Sequence, residues 1–171
     1  MPKTLRLAGV IRESVVDGPG FRMVIFAQGC PHHCFGCHNP ETHDFGGGYE
    51  TDTGKLIAEA AKNPLLAGLT FSGGDPFCQP EGFCELADKA HESGLNVMAY
   101  TGYTFGQIYN NPDQPGKHEL LIRCDWLVDG RFVLAKKNLM LKFRGSSNQR
   151  IIDVKASLQR GYAAEVDYEN F

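Results

Sequence analysis

Three cysteines stand at C-x3-C-x2-C spacing in a single short loop, as Cys30, Cys34 and Cys37. The loop comes directly after residues 21–27, a nearly continuous apolar run that predicts a buried strand of a parallel sheet. In α/β proteins, ligands collect at the carboxyl ends of such strands. The chain must therefore fold so that one end of a sheet presents three thiols together.

Three thiolates at this spacing can hold three corners of a cubane iron–sulfur cluster. Such clusters normally take four thiolates, so a missing fourth ligand leaves one iron open and indicates chemistry at the cluster. Structural zinc is the alternative, with a nearby histidine as fourth ligand, namely His32, His33, His38 or His43. Structural zinc usually uses two separated ligand pairs, and the compact triad therefore favours iron and sulfur.

Length and composition limit the remaining possibilities. The 171 residues, 42% of them hydrophobic, predict a single domain over residues 1–171, with a core of about 17–154 and a tail of about 156–171. The formal net charge is −3 and no basic patch is evident, which argues against nucleic acid as a partner. Neither a membrane-length apolar stretch nor a secretory signal is evident, so a cytoplasmic protein is expected.

Units of strand, loop and helix recur along the chain, with glycine-rich or polar motifs at the strand ends. This pattern is typical of a barrel or of a doubly wound α/β sheet. A full barrel takes about 250 residues, which is more than this chain offers. We therefore predict an α/β fold, a truncated and open (β/α) partial TIM barrel of about four to six strands.

A second motif, Ser-Gly-Gly-Asp-Pro, occupies residues 72–76 after another predicted strand. Gly73 and Gly74 would let a ligand approach the backbone closely, because glycine has no side chain. Asp75 and Pro76 are suited to the cap and the first position of a following helix. On its own, the motif is equally typical of a plain strand-to-helix turn.

Other polar and sulfur side chains leave alternatives open. Asp17 is compatible with substrate positioning or with an Asx-turn before a glycine. Asp129 is compatible with a contact to a ribose or a cation, or with a strand-ending turn. The remaining cysteines lack ligand spacing and are predicted to be buried free thiols, namely Cys78, Cys84 and Cys124.

Taken together, the triad and the Gly-Gly-Asp-Pro turn resemble the radical S-adenosylmethionine enzymes. Residues 17–22, Asp-Gly-Pro-Gly-Phe-Arg, resemble the glycyl-radical activating enzymes within that superfamily. Four further segments resemble the branch that activates anaerobic ribonucleoside-triphosphate reductase, at residues 37–42, 100–103, 128–132 and 144–150. The resemblance implies that the partial barrel is of the radical S-adenosylmethionine type.

The resemblance also implies cofactors and residue roles. Cys30, Cys34 and Cys37 would be the catalytic metal ligands of a [4Fe–4S] cluster, whose open iron binds the amino and carboxylate groups of S-adenosylmethionine. The implied cofactor contacts are Gly73, Gly74 and Asp75 at the methionine end and Gly36, Cys37 and His38 at the adenosine end. The residue before the third cysteine often covers the adenine with an aromatic ring. Here Gly36 stands at that position, which leaves Phe35 or His38 as candidate substitutes.

The implied reaction begins with an electron from reduced flavodoxin or ferredoxin. That electron would cleave S-adenosylmethionine to methionine and a 5′-deoxyadenosyl radical, which would take a hydrogen atom from a glycine Cα of anaerobic ribonucleoside-triphosphate reductase. Activation of another glycyl-radical enzyme, such as pyruvate formate-lyase, is the alternative within this class. A non-enzymatic iron–sulfur electron carrier is the alternative outside it.

Two features near the predicted site keep two interpretations each. His32 and His33 are expected either to tune the cluster through hydrogen bonds to sulfur or to be exposed loop residues. The acidic and aromatic tail is expected either to dock on the reductase or to fray.

Overall fold

The computed structural model describes residues 2–171 and contains one mixed seven-stranded sheet in the order β3-β1-β2-β4-β5-β6-β7. The strands are β1 (Thr4–Ser14), β2 (Phe21–Ala27), β3 (Tyr49–Asp52), β4 (Leu66–Gly73), β5 (Asn96–Tyr100), β6 (Trp126–Asp129) and β7 (Arg150–Asp153). The helices are α1 (Thr53–Ala61), α2 (Pro80–Glu92), α3 (Phe105–Tyr109), α4 (Pro115–Arg123) and α5 (Val154–Arg160). Short 3-10 turns occupy Pro40–Thr42, Pro76–Cys78 and Leu134–Lys136.

The centre of the sheet is parallel, because β2, β4, β5 and β6 run in the same direction as neighbours. On one side β1 pairs antiparallel with both β2 and β3, and on the other side β7 pairs antiparallel with β6. The carboxyl ends of the four parallel strands therefore meet at one edge. The loops that follow these strands carry the motifs that the sequence singled out.

The predicted α/β class is confirmed, but the sheet has seven strands instead of four to six. The additional strand β3 was not predicted, because its residues, Tyr-Glu-Thr-Asp, are polar and only its pairing with β1 makes it a strand. Helix α2 begins at Pro80, after the predicted start at Pro76. Asp75 and Pro76 instead cap and begin a single 3-10 turn.

The two faces of the sheet bury unequal apolar clusters. All five helices contribute to the larger cluster, in which the rings of Phe71 and Phe83 lie 4.8 Å apart. The smaller cluster lies on the opposite face and is formed by Met98, Val128 and Ile151, since neighbouring strand residues alternate between faces. The aromatic tail packs onto this second face through Val166, Tyr168 and Phe171. None of the helices within residues 2–171 is long and apolar enough to cross a membrane.

Arg22 is fully buried on the sheet face that carries the smaller cluster, and no carboxylate within residues 2–171 forms an ion pair with it. Its Nε donates to Thr70 Oγ1 at 2.7 Å, and its terminal nitrogens donate to Asn96 Oδ1 and to two backbone carbonyls. One of those carbonyls belongs to Pro19, and the Thr70 hydroxyl donates in turn to the carbonyl of Asp17 at 2.8 Å. Burial lowers the pKa of Arg22 to about 10. Arg22 thus holds the turn at residues 17–20.

We expect Arg22→Met to lower the free energy of unfolding by about 3 kcal/mol, because several buried acceptors would lose their donor. Urea unfolding monitored by circular dichroism measures this loss. Arg12→Met is the matched control, since Arg12 is exposed on β1 and makes only a 3.5 Å surface pair with Glu59. Equal midpoints for the two variants would contradict a structural role for Arg22.

Candidate active site at the carboxyl ends of the parallel strands

A cavity of about 520 Å³ opens at the carboxyl edge of the parallel strands. This volume is in the range that accommodates a ligand the size of a nucleoside. Its walls come from the loops after β2, β4, β5 and β6 and from the segment before β7. The structure brings six of the predicted site residues to this cavity: Cys30, Cys34, Cys37, His38, Gly73 and Gly74.

The cysteine loop is folded back on itself by backbone hydrogen bonds. Gly29 N donates to Thr42 O at 2.6 Å and Cys30 N donates to His43 O at 3.2 Å, which fixes the two ends of the loop. Within the loop, Cys37 N donates to Cys34 O at 3.1 Å. The three thiols are therefore held by a defined backbone.

The donor set fits an iron–sulfur cluster. Within residues 2–171, no three His, Cys, Asp or Glu side chains converge closely enough to hold a single metal ion. The three Sγ atoms are instead distributed around one cavity, which suits a cubane because each cysteine binds a different iron. The amide of Asn39 also lies 3.4 Å from Cys37 Sγ, as expected of a donor that stabilises a thiolate.

Burial, with a smaller contribution from the nearby charge of Asp75, raises the pKa of Cys30 to about 11. Without a positive partner this thiol stays protonated at neutral pH. Iron would supply the positive charge that makes it a thiolate.

The Gly-Gly turn is fixed against the end of β2. Gly74 N donates to Ala27 O at 2.7 Å, and Asp75 N donates to Gly29 O at 2.8 Å. Gly73 has φ of +92°, and a Cβ there would lie 2.5 Å from the backbone nitrogen of Ala27. This position therefore requires glycine, both for its backbone conformation and for the space.

The side chain of Asp75 does not line the cavity, although the sequence predicted it as a cofactor contact. The residue is fully buried behind the wall, and its carboxylate accepts four hydrogen bonds. One oxygen lies 2.6 Å from Nε2 of His32 and also accepts from Thr101 Oγ1 and Gly102 N. Asp75 thereby connects the cysteine loop with the loops after β4 and β5.

His32 is therefore not an exposed loop residue. It lines the cavity and also pairs with Asp75 behind the cavity wall. It is buried, pairs with Asp75, and packs edge-on against the ring of Tyr103 at 4.5 Å between centroids. A Cβ at Gly102 would lie 2.3 Å from the His32 ring, so the loop after β5 is shaped around this histidine. His33 lies elsewhere, with φ of +50° and its ring 5.3 Å from that of His43.

The adenosine-end candidates are separated by the structure. Phe35 is 83% exposed and is not among the cavity residues. His38 lines the cavity and packs on Phe132 at 4.9 Å between ring centroids. Gly36 has φ of +75°, and a side chain there would meet Leu134. Of the two candidate substitutes for an aromatic cover, His38 is therefore the one that lines the cavity.

The two aspartates with open interpretations have different positions. Asp17 lines the cavity and accepts a 2.6 Å hydrogen bond from Ser14 Oγ. Asp129 is buried behind the wall, where it accepts from Phe105 N and from Arg150 Nε at 3.0 Å. The hydrogen bonds that Arg150 donates to the Asp129 carboxylate raise the pKa of Arg150. Asp129 therefore connects β6, β7 and the start of α3, and it does not line the cavity.

The other three cysteines are free thiols. Cys124 is buried, whereas Cys78 and Cys84 are only partly buried. Burial raises the pKa of Cys84 to about 11. The prediction that all three are buried is therefore wrong for Cys78 and Cys84, and none of the three lines the cavity.

The sequence interpretation missed the wall formed by residues 139–149, of which Leu141, Phe143 and Gln149 line the cavity. Gln149 Oε1 accepts from the amides of Gly145 and Ser146, and its Nε2 donates to the carbonyl of Gly130. The polar segment at residues 144–150 is therefore a clamp that closes this wall. The sequence does carry a local basic run here, which the interpretation that no basic patch is evident overlooked: residues 130–152 contain six Lys or Arg and no Asp or Glu.

Comparison with known proteins identifies the class of this site. Residues 16–152 match the protein family described as 4Fe-4S single cluster domain. A solved structure of QueE from Escherichia coli is also similar, at 16% identity and a TM-score of 0.47, over 59% of this chain and 53% of that one. The family match defines an iron–sulfur protein.

Curated relatives narrow the class. The chain is 34% identical over 145 residues to the anaerobic ribonucleoside-triphosphate reductase-activating protein of Enterobacteria phage T4, covering 80% of this chain and 86% of the relative. It is 30% identical over 150 residues to the protein of that name from Escherichia coli, covering 79% and 90%. The chain belongs to the family of anaerobic ribonucleoside-triphosphate reductase-activating proteins.

The pyruvate formate-lyase-activating enzyme of Clostridium pasteurianum is also related, at 34% identity over 125 residues. The alignment covers 70% of this chain but only 51% of that enzyme. Membership in the activating family confirms the predicted radical S-adenosylmethionine enzyme class and its two cofactors, a [4Fe–4S] cluster and S-adenosylmethionine.

Proposed function

We propose that this chain cleaves S-adenosylmethionine reductively and installs a glycyl radical on anaerobic ribonucleoside-triphosphate reductase. Cys30, Cys34 and Cys37 hold the [4Fe–4S] cluster in this proposal. The observation that supports it is the meeting of these thiols with the Gly-Gly turn at one cavity, in a chain of the activating family.

Within this proposal the cofactors supply the hard chemistry and the chain positions them. When bound through Cys30, Cys34 and Cys37, the cluster would supply the electron for reductive cleavage of S-adenosylmethionine to methionine and a 5′-deoxyadenosyl radical, the species that would take a hydrogen atom from the target glycine Cα. Gly73 and Gly74 leave the backbone open to the methionine end, next to the cysteine loop. The apolar side chains of Leu141 and Phe143 keep water away from the radical.

We assign the adenosine end to the side of the cavity that His38 and Cys37 line. His38 packs on Phe132 and so offers a held ring for stacking, whereas Gly36 lies against Leu134 and does not line the cavity. Asp75 does not contact the cofactor in this proposal. Its carboxylate accepts hydrogen bonds from the loops that form the cavity wall and so positions them.

The same proposal includes the shape of the fold. The helices lie on one face of the parallel strands and an apolar cluster lies on the other, which supports an open, partial (β/α) barrel that forms one domain. The tail covers part of the sheet face that carries the smaller cluster, through Tyr168 and Phe171. A reduced flavodoxin or ferredoxin of the cytoplasm is the proposed electron donor, because the cluster needs a low-potential reductant.

The decisive experiment combines the anaerobically reconstituted protein with the reductase, S-adenosylmethionine and dithionite, and records electron paramagnetic resonance spectra. We expect a glycyl radical on the reductase, together with methionine and 5′-deoxyadenosine. Pyruvate formate-lyase replaces the reductase in a parallel sample, because a pyruvate formate-lyase-activating enzyme is also a relative.

The outcomes separate the candidate functions. A radical on the lyase alone would assign the chain to that partner. An intact cluster that yields no 5′-deoxyadenosine would instead indicate an electron carrier. A competent reductase that acquires no radical in the presence of 5′-deoxyadenosine formation would contradict the proposed partner.

A further inference from the structure

Residues 133–146 form a hairpin that projects beside the cavity, and we refer to them as the cationic hairpin. Lys137 and Ser146 pair as an isolated antiparallel bridge, and Asn138 N donates to Gly145 O at 3.3 Å. At the tip, Met140 N donates to the Asn138 side chain at 2.9 Å, which closes the turn. The Gln149 amide fixes the base of the hairpin.

The charges on this hairpin have one sign. Lys136, Lys137 and Lys142 are exposed, and within residues 2–171 none of them is in an ion pair. The chain as a whole carries a formal charge of −3, so the positive charge of the hairpin is opposite in sign to the net charge of the protein. A localised positive surface of this kind steers an acidic partner toward it.

The tip also exposes large apolar side chains. Leu139 is 86% exposed and Met140 is 90% exposed, although apolar side chains of this size are usually buried. Leu139 lies at the mouth of the cavity, and Leu141 lines the cavity itself. An apolar group within a charged rim is the composition of a protein–protein interface.

We propose that the cationic hairpin is the docking surface for the glycyl-radical partner, the reductase, and that it binds an acidic surface with an apolar centre. This inference rests on the proposed function. The hairpin forms the outer wall of the cavity, so a protein bound to it has its glycine segment at the cavity mouth. Docking and delivery of the glycine to the radical are therefore served by one structural element.

The apolar tip favours the reductase over the electron donor as the occupant. Electron-transfer encounters are small and transient, and they need charge steering more than apolar burial. A partner that must hold a glycine in place during hydrogen transfer needs a more persistent contact. Leu139 and Met140 supply the surface for such a contact.

The test compares two triple variants with the same change of charge. The hairpin variant reverses the three lysine charges of the cationic hairpin, with Lys136→Glu, Lys137→Glu and Lys142→Glu. The control variant reverses three charges at exposed positions on α1 and α5, with Lys55→Glu, Lys155→Glu and Arg160→Glu. Binding of each reconstituted protein to the reductase is measured by biolayer interferometry at low and at moderate salt. We expect the hairpin variant to lose at least about tenfold in affinity at low salt and to show a flatter salt dependence.

Two further readouts make the result specific. Formation of 5′-deoxyadenosine with dithionite and no reductase should be the same in both triple variants, because the hairpin lysines lie outside the cavity. A double variant, Leu139→Ser with Met140→Ser, should weaken reductase binding without changing its salt dependence.

The results that overturn the inference are distinct from those that overturn the proposed function. Equal reductase affinity in the hairpin and control variants overturns the inference, as does a defect that appears only when flavodoxin replaces dithionite. A wild-type protein that binds the reductase but installs no radical contradicts the proposed function and leaves the binding comparison valid. A wild-type protein that does not bind the reductase overturns both.

Discussion

Asp75→Ala is expected to lower the free energy of unfolding by about 3 kcal/mol and to reduce the iron that the reconstituted protein retains. The carboxylate is fully buried and accepts from His32, Thr101 and two backbone amides. Its removal would leave these buried donors without an acceptor, which is among the most costly changes that a single substitution makes. The cysteine loop would lose its connection to the loops after β4 and β5.

Urea unfolding of the metal-free protein measures the stability, and iron analysis after anaerobic desalting measures the second effect. Asp52→Ala is the matched control, because Asp52 also accepts from a backbone amide, that of Lys55, but only caps α1. Its loss should cost about 1 kcal/mol and leave the iron content unchanged. If the two variants unfold at the same urea concentration and retain the same iron, Asp75 does not organise the site.

Cys34→Ser is expected to abolish 5′-deoxyadenosine formation and to lower the iron below the roughly four atoms per chain of an intact cluster. A serine hydroxyl is a poor substitute for a thiolate, so one iron would lose its protein ligand. Cys34 lines the cavity and makes no hydrogen bond through its side chain to another described residue. The metal-free variant should therefore fold as the wild type does.

Cys84→Ser provides the control for this change, since it makes the same substitution on α2, outside the cavity. We expect the Cys84 variant to keep its iron, its visible absorption and its cleavage activity. Full iron content in the Cys34 variant would contradict the assignment of the triad as the cluster site, as would an equal loss of iron from the Cys34 and Cys84 variants.

Much of the central sheet could be predicted from local sequence. The apolar run at residues 21–27 coincides with β2, and Asp75 and Pro76 do cap and begin a helical turn, although this is a 3-10 turn and not the start of α2. Both signals depend on side chains a few positions apart. The edge strand β3 and the terminal helix α5 were missed, because β3 depends on pairing with β1 and α5 runs from Val154 into the segment of about 156–171 that was expected to be a tail.

The cavity could be predicted only in part, for a similar reason. The cysteine loop and the Gly-Gly turn follow β2 and β4, and strand direction alone brings them together. The role of Asp75 could not be inferred from its motif, since its partners His32 and Thr101 lie 43 and 26 residues away. Leu141 and Phe143 line the cavity because the Gln149 clamp folds their segment over it, and no periodic pattern marks that fold.

The clamp at the base of the cationic hairpin has a consequence for protein engineering. Gln149 fixes the base through Gly145, Ser146 and the carbonyl of Gly130, and none of these contacts involves residues 134–142. A loop whose ends are fixed in this way tolerates changes of length and composition at its tip. Substitutions at the exposed tip, residues 138–140, can therefore vary between related chains while Leu134, which lies against Gly36 of the cysteine loop, and the fixed base stay unchanged.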